Sequence, residues 1–245
     1  MTAWSNRTVL VTGASSGIGR AVTLSLLENG ARVVAITRCA NRLEDIANPQ
    51  GQLNVIELDL QEFNKFPEFV KALPRLDGVV HSAGIVKVRP IAFFSLDQHR
   101  MIMDINLTAP LALSGEMLRQ RKVSKGASLI FLSSINGNQI GVKGCTSYAA
   151  SKAGLTGAAR AMALELASQS IRVNCVLPGA VNGSMGDSLL HVTKESQDAE
   201  KRSYPLGGRF AEPSEIADTV CFLLSDQASF ITGQNVTVDG GCSVQ

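Results

Sequence analysis

Tyr148 and Lys152 stand four residues apart in a segment, Ser147 to Ala167, that is rich in Ala, Leu and Met and contains no Pro. The segment is predicted to be helical, which puts side chains at i and i+4 on one face. A phenol with an ordinary pKa near ~10 is a poor proton shuttle at neutral pH, and a neighbouring ammonium favours its phenolate. The pair is therefore suited to acid/base work on an oxygen atom. Ser133 and Ser134 close an apolar run shortly upstream, and a hydroxyl at a strand end can orient a carbonyl for such work. Alone, Tyr-x-x-x-Lys also describes a half-buried helix aromatic beside a solvated lysine. The elements around the pair have to decide.

The N-terminus supplies the first of them. Thr8 to Thr12 is a short β-branched run, followed by Gly13-Ala14-Ser15-Ser16-Gly17-Ile18-Gly19 and an apolar helical pattern from Ala21 to Leu27. Strand, glycine turn and helix in that order leave backbone N–H groups and a helix N-terminus for a pyrophosphate. Gly13 is expected to allow the sharp turn, Gly17 the approach of phosphate, and Gly19 close packing of helix on strand. Ser15, Ser16 and Ile18 complete this candidate cofactor cradle.

With both features in one chain, the sequence resembles the short-chain dehydrogenase/reductase family over nearly its whole length. Thr12-Gly13-x-x-x-Gly17-x-Gly19, Asp59-Leu60, His81-Ser82-Ala83-Gly84, Asn106, Ser134, Tyr148, Lys152, Pro178-Gly179 and Ile231-Thr232-Gly233-Gln234 to Asp239-Gly240-Gly241 follow in the family's order. The resemblance implies a Ser-Tyr-Lys mechanism. Ser134 orients the carbonyl, Tyr148 exchanges a proton with its oxygen, and Lys152 lowers the Tyr148 pKa and holds the nicotinamide ribose. Asn106 connects Lys152 to solvent through water. It further implies cofactor contacts at Asp59, Leu60, Ser82, Ala83, Gly84, Pro178, Gly179 and Val181.

Thr37 and Arg38 end the second predicted strand, where NAD-using members carry an acid that binds the adenosine ribose. A hydroxyl beside a guanidinium suits a 2′-phosphate instead, so NADP(H) is expected over NAD(H), with Arg20 adding positive potential. Three departures from the family pattern matter. Ser134 lies fourteen residues before Tyr148, one more than the usual spacing, and the extra residue is assigned to the loop Gly137–Gly144. His81-Ser82 replaces the usual Asn-Asn, with His81 read as structural. Gly183 stands where the family usually has Thr, leaving Ser184 as the candidate replacement.

The expected reaction is hydride transfer between NADP(H) and a ketone or secondary alcohol. Length and the segment Gly207 to Pro213 look like 3-oxoacyl thioester reductases, while sugar, polyol and small-ketone dehydrogenases share the same features. A non-catalytic dinucleotide sensor is the alternative from another class, and the presence of both Tyr148 and Lys152 argues against it. Extended nucleotide-sugar epimerases have tighter glycine spacing and a larger C-terminal substrate domain.

The 245 residues suit one α/β domain. With 45% apolar and 18% charged residues, the composition is neither disordered nor membrane-like, and a net charge of +2 carries no nucleic-acid footprint. Met1 to Arg7 leads straight into the first strand, so no signal peptide is expected. Five scattered cysteines without metal-ligand spacing read as reduced thiols, and the expected location is cytoplasmic. Cys145 is read as a small packing residue.

The expected strands are Thr8–Thr12, Arg32–Thr37, Leu53–Leu58, Gly78–His81, Ser128–Ser133, Ile171–Leu177 and Asn235–Val238. Helices are expected at Gly19–Asn29, Phe63–Ala72, Leu96–Arg121, Ser147–Ser168 and Pro213–Leu224. This alternation predicts a Rossmann-type doubly wound parallel sheet of about seven strands with helices on both faces. Residues 182–210 break the rhythm and read as a substrate lid with a short helix near Leu189–Lys201. By resemblance, the helix from Ser147 and the one before it form one interface of a homotetramer. The last strand and the Gly240–Gln245 tail form the other.

Overall fold

The computed structural model describes residues 4–46, 51–183 and 194–245. Its centre is a seven-stranded sheet of β1 (Thr8–Thr12), β2 (Arg32–Thr37), β3 (Leu53–Glu57), β4 (Leu76–His81), β5 (Val123–Leu132), β6 (Arg172–Pro178) and β7 (Asn235–Val238). The strand order is β3-β2-β1-β4-β5-β6-β7, and every pairing is parallel. The order reverses between β1 and β4, and at such a switch point the carboxyl ends of open parallel sheets leave a crevice for ligands.

Both faces of the sheet are covered, which is why the strands read as almost unbroken apolar runs. Successive strand residues serve opposite layers. Leu10, Val79, Leu129, Phe131 and Val173 pack under α2 (Phe66–Ala72), α4 (Ala109–Arg119) and α5 (Thr146–Leu166). Val9, Val11, Val80, Ile130 and Val176 pack under α1 (Gly17–Glu28) and α7 (Pro213–Leu224). Phe131 is fully buried, and burying a side chain of that size contributes roughly 1.5–3 kcal/mol. Arg172 is buried too, and its guanidinium donates to Leu223 O, Leu224 O and Ser225 O. It thereby satisfies carbonyls that α7 leaves open at its end.

β1, β2, β7 and α7 have the expected bounds. β5 starts earlier than expected, because Val123 pairs with Leu76 before a register shift near Gly126, at φ +81°, brings Ser128 opposite Gly78. The single helix expected over Leu96–Arg121 is three pieces: α3 (Leu96–Met103), a π turn (Asp104–Thr108) and α4. Pro110 explains the break, since it has no N–H to return to the carbonyl four residues back, that of Asn106. Within residues 182–210, expected to form a lid, α6 spans Lys194–Arg202. The rest of the expected lid helix, and Ser184, lie outside the described residues.

Candidate active site

The glycine turn between β1 and α1 has the geometry its residue types call for. Gly13 takes φ +67°, and a Cβ there would stand 2.9 Å from the backbone of Ala83. A Cβ on Gly19 would stand 2.3 Å from Gly13 O, so helix and turn meet backbone to backbone. Gly17, at φ +51°, has nothing within 4 Å of that position and lies on the open side. Ser16 precedes the helix without a side-chain cap bond, and the first turn of α1 carries no acid. An uncapped helix N-terminus behind an open glycine fits a pyrophosphate. Thr12 Oγ1 ties this turn to β4 by accepting from Ser82 N and Ala83 N, both at 3.1 Å.

The catalytic candidates meet at the carboxyl end of β5. Ser134 follows the strand, and its hydroxyl lies near enough to the Tyr148 phenol to favour the phenolate. Asn136 N donates to Ser134 Oγ at 3.1 Å, which fixes one lone pair and leaves the hydroxyl hydrogen for another acceptor. Tyr148 lies on the first turns of α5, with the Lys152 ammonium 5.7 Å from its ring centroid. Lys152 is 4% exposed and donates to Leu132 O at 2.6 Å. Ser133 turns the other way, as strand alternation requires, and donates to Lys152 O at 2.8 Å.

Asn138 holds this corner together. Its amide donates to Ser133 Oγ and to Ser134 O, at 3.1 and 2.9 Å, and accepts from Thr156 Oγ1 at 2.8 Å. The loop carrying the extra residue thus links the end of β5 to the middle of α5. Gly137 must be glycine here, for at φ +92° a Cβ would stand 2.4 Å from Ala149 O.

Burial sets the protonation states. It pushes the Tyr148 phenol up to about 12, against a smaller downward pull from the nearby Ser134 hydroxyl, and draws Lys152 down to about 8. The lowering of Tyr148 by Lys152 expected from sequence is therefore not what this arrangement produces, because desolvation of the phenol is the largest influence on it. Tyr148 stays protonated at neutral pH.

A family model described as Enoyl-(Acyl carrier protein) reductase matches residues 13–243. The 3-oxoacyl-[acyl-carrier-protein] reductase FabG of Salmonella typhimurium is 35% identical over 239 residues, covering 95% of each chain. L-xylulose reductase of Bos taurus is 31% identical, covering 96% of each chain. Among solved structures, a short-chain dehydrogenase/reductase of Brucella melitensis described as a glucose/ribitol dehydrogenase superposes with a TM-score of 0.91. It is 30% identical, over 100% of this chain and 99% of that one. This chain belongs to the short-chain dehydrogenase/reductase family. Membership makes it an oxidoreductase that uses a nicotinamide dinucleotide on CH–OH or carbonyl groups. Among the described residues, no helix is long and apolar enough to cross a membrane.

The remaining family positions fall around the crevice with uneven duties. Asn106 sits in the π turn, 1% exposed. It accepts from Ile85 N, and donates to Ile85 O and Ser151 Oγ. Ser151 Oγ in turn donates to Tyr148 O at 2.7 Å, so Asn106 fastens the chain after Gly84 to α5. His81 is structural as expected: it shares a 2.8 Å hydrogen bond with Ser114, stacks on Phe131, and burial draws its pKa down to about 3. Asp59 closes a local turn onto Gln61 N, and Leu60 is buried in the core. Cys145 is buried at the start of α5, a packing residue as its size suggests.

The adenosine end differs from expectation in one respect. Thr37 is only 4% exposed, and its hydroxyl is engaged with Ser15 Oγ at 2.8 Å and Cys39 N at 3.0 Å. It staples β2 to the glycine turn instead of facing outward. Arg38 is exposed and makes no ion pair among the described residues, while Arg20 is bound to Asp45 at 2.5 Å. Sequence reading passed over Tyr204, whose hydroxyl accepts from Ala180 N at 2.8 Å. The available signal was that Tyr204 is, with Tyr148, one of only two tyrosines in the chain.

Proposed function

We propose that this protein is an NADP(H)-dependent reductase of 3-oxoacyl thioesters or closely similar ketones, working through Ser134, Tyr148 and Lys152. The convergence of Ser134, Tyr148 and the buried Lys152 at a strand end beside the glycine turn carries the reading. A substrate carbonyl oxygen placed between the two hydroxyls is oriented by Ser134 and receives its proton from Tyr148. Because Tyr148 stays protonated to about 12, it reaches that oxygen as a donor. The oxygen becomes an alkoxide, a much stronger base than phenolate, so the proton moves downhill. Bound NADPH supplies the hydride equivalent. Lys152 places a cation beside the phenolate left behind, and Asn106 keeps the helix bearing both groups against the chain after Gly84.

The residues present suit the cofactor: an open glycine turn at an uncapped helix start for the pyrophosphate, and Arg38, exposed and in no ion pair among the described residues, for a 2′-phosphate. The several 3-oxoacyl-[acyl-carrier-protein] reductases among the relatives support the substrate class. The bovine L-xylulose reductase supports a sugar or polyol reading as the alternative. Assaying acetoacetyl thioesters against pentuloses with NADPH and NADH separates them. Thr37→Asp with Arg38→Ile is expected to reverse the kcat/KM preference from NADPH to NADH. A native preference for NADH would overturn the cofactor assignment.

A homotetramer fits the same reading. Leu164 on α5 is 82% exposed and Val244 in the C-terminal tail 85%, one apolar side chain on each face that the family uses for assembly. Sedimentation at working concentration tests it, and a single 26.0 kDa species would count against it.

A further inference from the structure

The segment Gly179–Asn182 is held on three sides. Gly179 N donates to Val238 O at 3.0 Å, from β7. Ala211 N donates to Ala180 O, and Asn182 N donates to Ala211 O, so Val181 and Ala211 form an isolated parallel bridge. The third hold is Tyr204, which follows α6. It accepts from Ala180 N at 2.8 Å, and its ring lies so close to Gly179 that a Cβ there would stand 2.9 Å from Cε1. The ring is 5% exposed and meets Phe210 edge to face at 5.5 Å, so it has no room to move.

This arrangement leaves one peptide group pair over. In a parallel bridge the bonded atoms belong to the flanking residues, here Ala180 O and Asn182 N, so the N–H and C=O of Val181 point away from Ala211. Neither has a partner among the described residues. A donor and an acceptor presented side by side match the acceptor and donor of a primary carboxamide. Gly183, where the family carries Thr, cannot take over this task. At φ +126° it has a conformation that side-chain-bearing residues rarely adopt, and it offers no side chain.

We propose that Tyr204 is a positioning residue: its hydroxyl, through Ala180 N, sets the Val181 peptide groups that receive the nicotinamide carboxamide, compensating for the missing Thr at position 183. This rests on the dinucleotide reading of the site. It also ties the lid helix α6 to that loop, since Tyr204 lies two residues past its end.

The test compares the native protein with Tyr204→Phe, which removes one hydroxyl and keeps the ring. Dissociation constants are measured by fluorescence titration for NADPH, NADH and adenosine 2′,5′-bisphosphate, a probe without the nicotinamide half. The expected result is a weakening of about tenfold for both whole dinucleotides, the scale of one lost hydrogen bond, with the bisphosphate unchanged. Equal binding of NADPH by the two proteins would overturn the proposal. Equal weakening of NADPH and the bisphosphate would overturn it as well, since that marks general loosening. A native protein that binds neither dinucleotide would instead overturn the reading of the site on which the proposal rests.

Discussion

Between β1 and α1 the candidate cofactor cradle is built almost wholly from backbone: two glycines in left-handed conformations, a third packed against a carbonyl, and a helix start left uncapped. Around Ser134 the candidate catalytic corner is built from side chains that reach one another from distant parts of the chain. Asn138 joins Ser133 and Ser134 to Thr156, Asn106 joins Ile85 to Ser151, and Lys152 is buried against Leu132 O. A cradle of backbone tolerates any side chain that leaves its torsions alone and fails where a Cβ will not fit. A corner of side chains fails by loss of single atoms, with the fold left standing.

The largest effect is expected from one such atom. Tyr148→Phe should lower kcat by about a thousandfold or more, within the range of lost general acid catalysis, while cofactor affinity by direct titration stays within about twofold. A variant keeping a large share of turnover would show that the corner does not depend on that phenol.

In the cradle, position should matter more than residue type. Gly19→Ala drives a Cβ to 2.3 Å from Gly13 O, so the turn itself has to shift. Strain of this kind costs roughly 1–3 kcal/mol, and the expected outcome is a lowered Tm with strongly weakened NADPH binding. Gly17→Ala meets open space, and its burden is the left-handed φ alone, about 1 kcal/mol. Comparing melting curves and NADPH titrations for the two variants tests the difference. Equal losses would mean that the close approach at Gly19 is not what shapes the cradle.

The smallest effect concerns pH. Lys152 is held at about 8 by burial, so its ammonium is lost as pH rises through that value, well before Tyr148 ionises near 12. Reductive kcat/KM should fall by about tenfold per pH unit above roughly 8, and Lys152→Arg, which keeps its charge, should remove that limb from whatever activity it retains. A profile flat to pH 10 would show that the cation is not required. Stability follows the same groups by linkage. Because Lys152 sits below its ordinary 10.5, it destabilises the fold at neutral pH, and this loss is relieved as pH rises from about 8 to 10.5. Tyr148 works oppositely: its contribution is present below pH 10 and is lost as pH climbs to about 12.

Several parts of the molecule were readable without coordinates. The β-branched run at Thr8–Thr12, the glycines that follow and the helix with Tyr148 and Lys152 have local causes: apolar periodicity, glycine torsions and helix propensity act over a few residues. The sheet order and the crevice follow from strand–helix alternation. Thr37 illustrates the limit. Its place at the end of β2 was evident, but which way its hydroxyl turned depended on Ser15, twenty-two residues earlier in the chain. The Tyr148 pKa was misjudged for a similar reason, since the spacing of a phenol and an ammonium along a helix says nothing about how much water the fold removes from each. Tyr204 carried no motif, and it acquired a role only when α6 and the end of β6 were brought together. The sequence by itself determined elements, turns and residue types, because those depend on interactions between near neighbours. Only the tertiary structure decided protonation, the direction of side-chain hydrogen bonds and the hold on the Val181 loop, because desolvation and contacts across the chain exist only once it has packed.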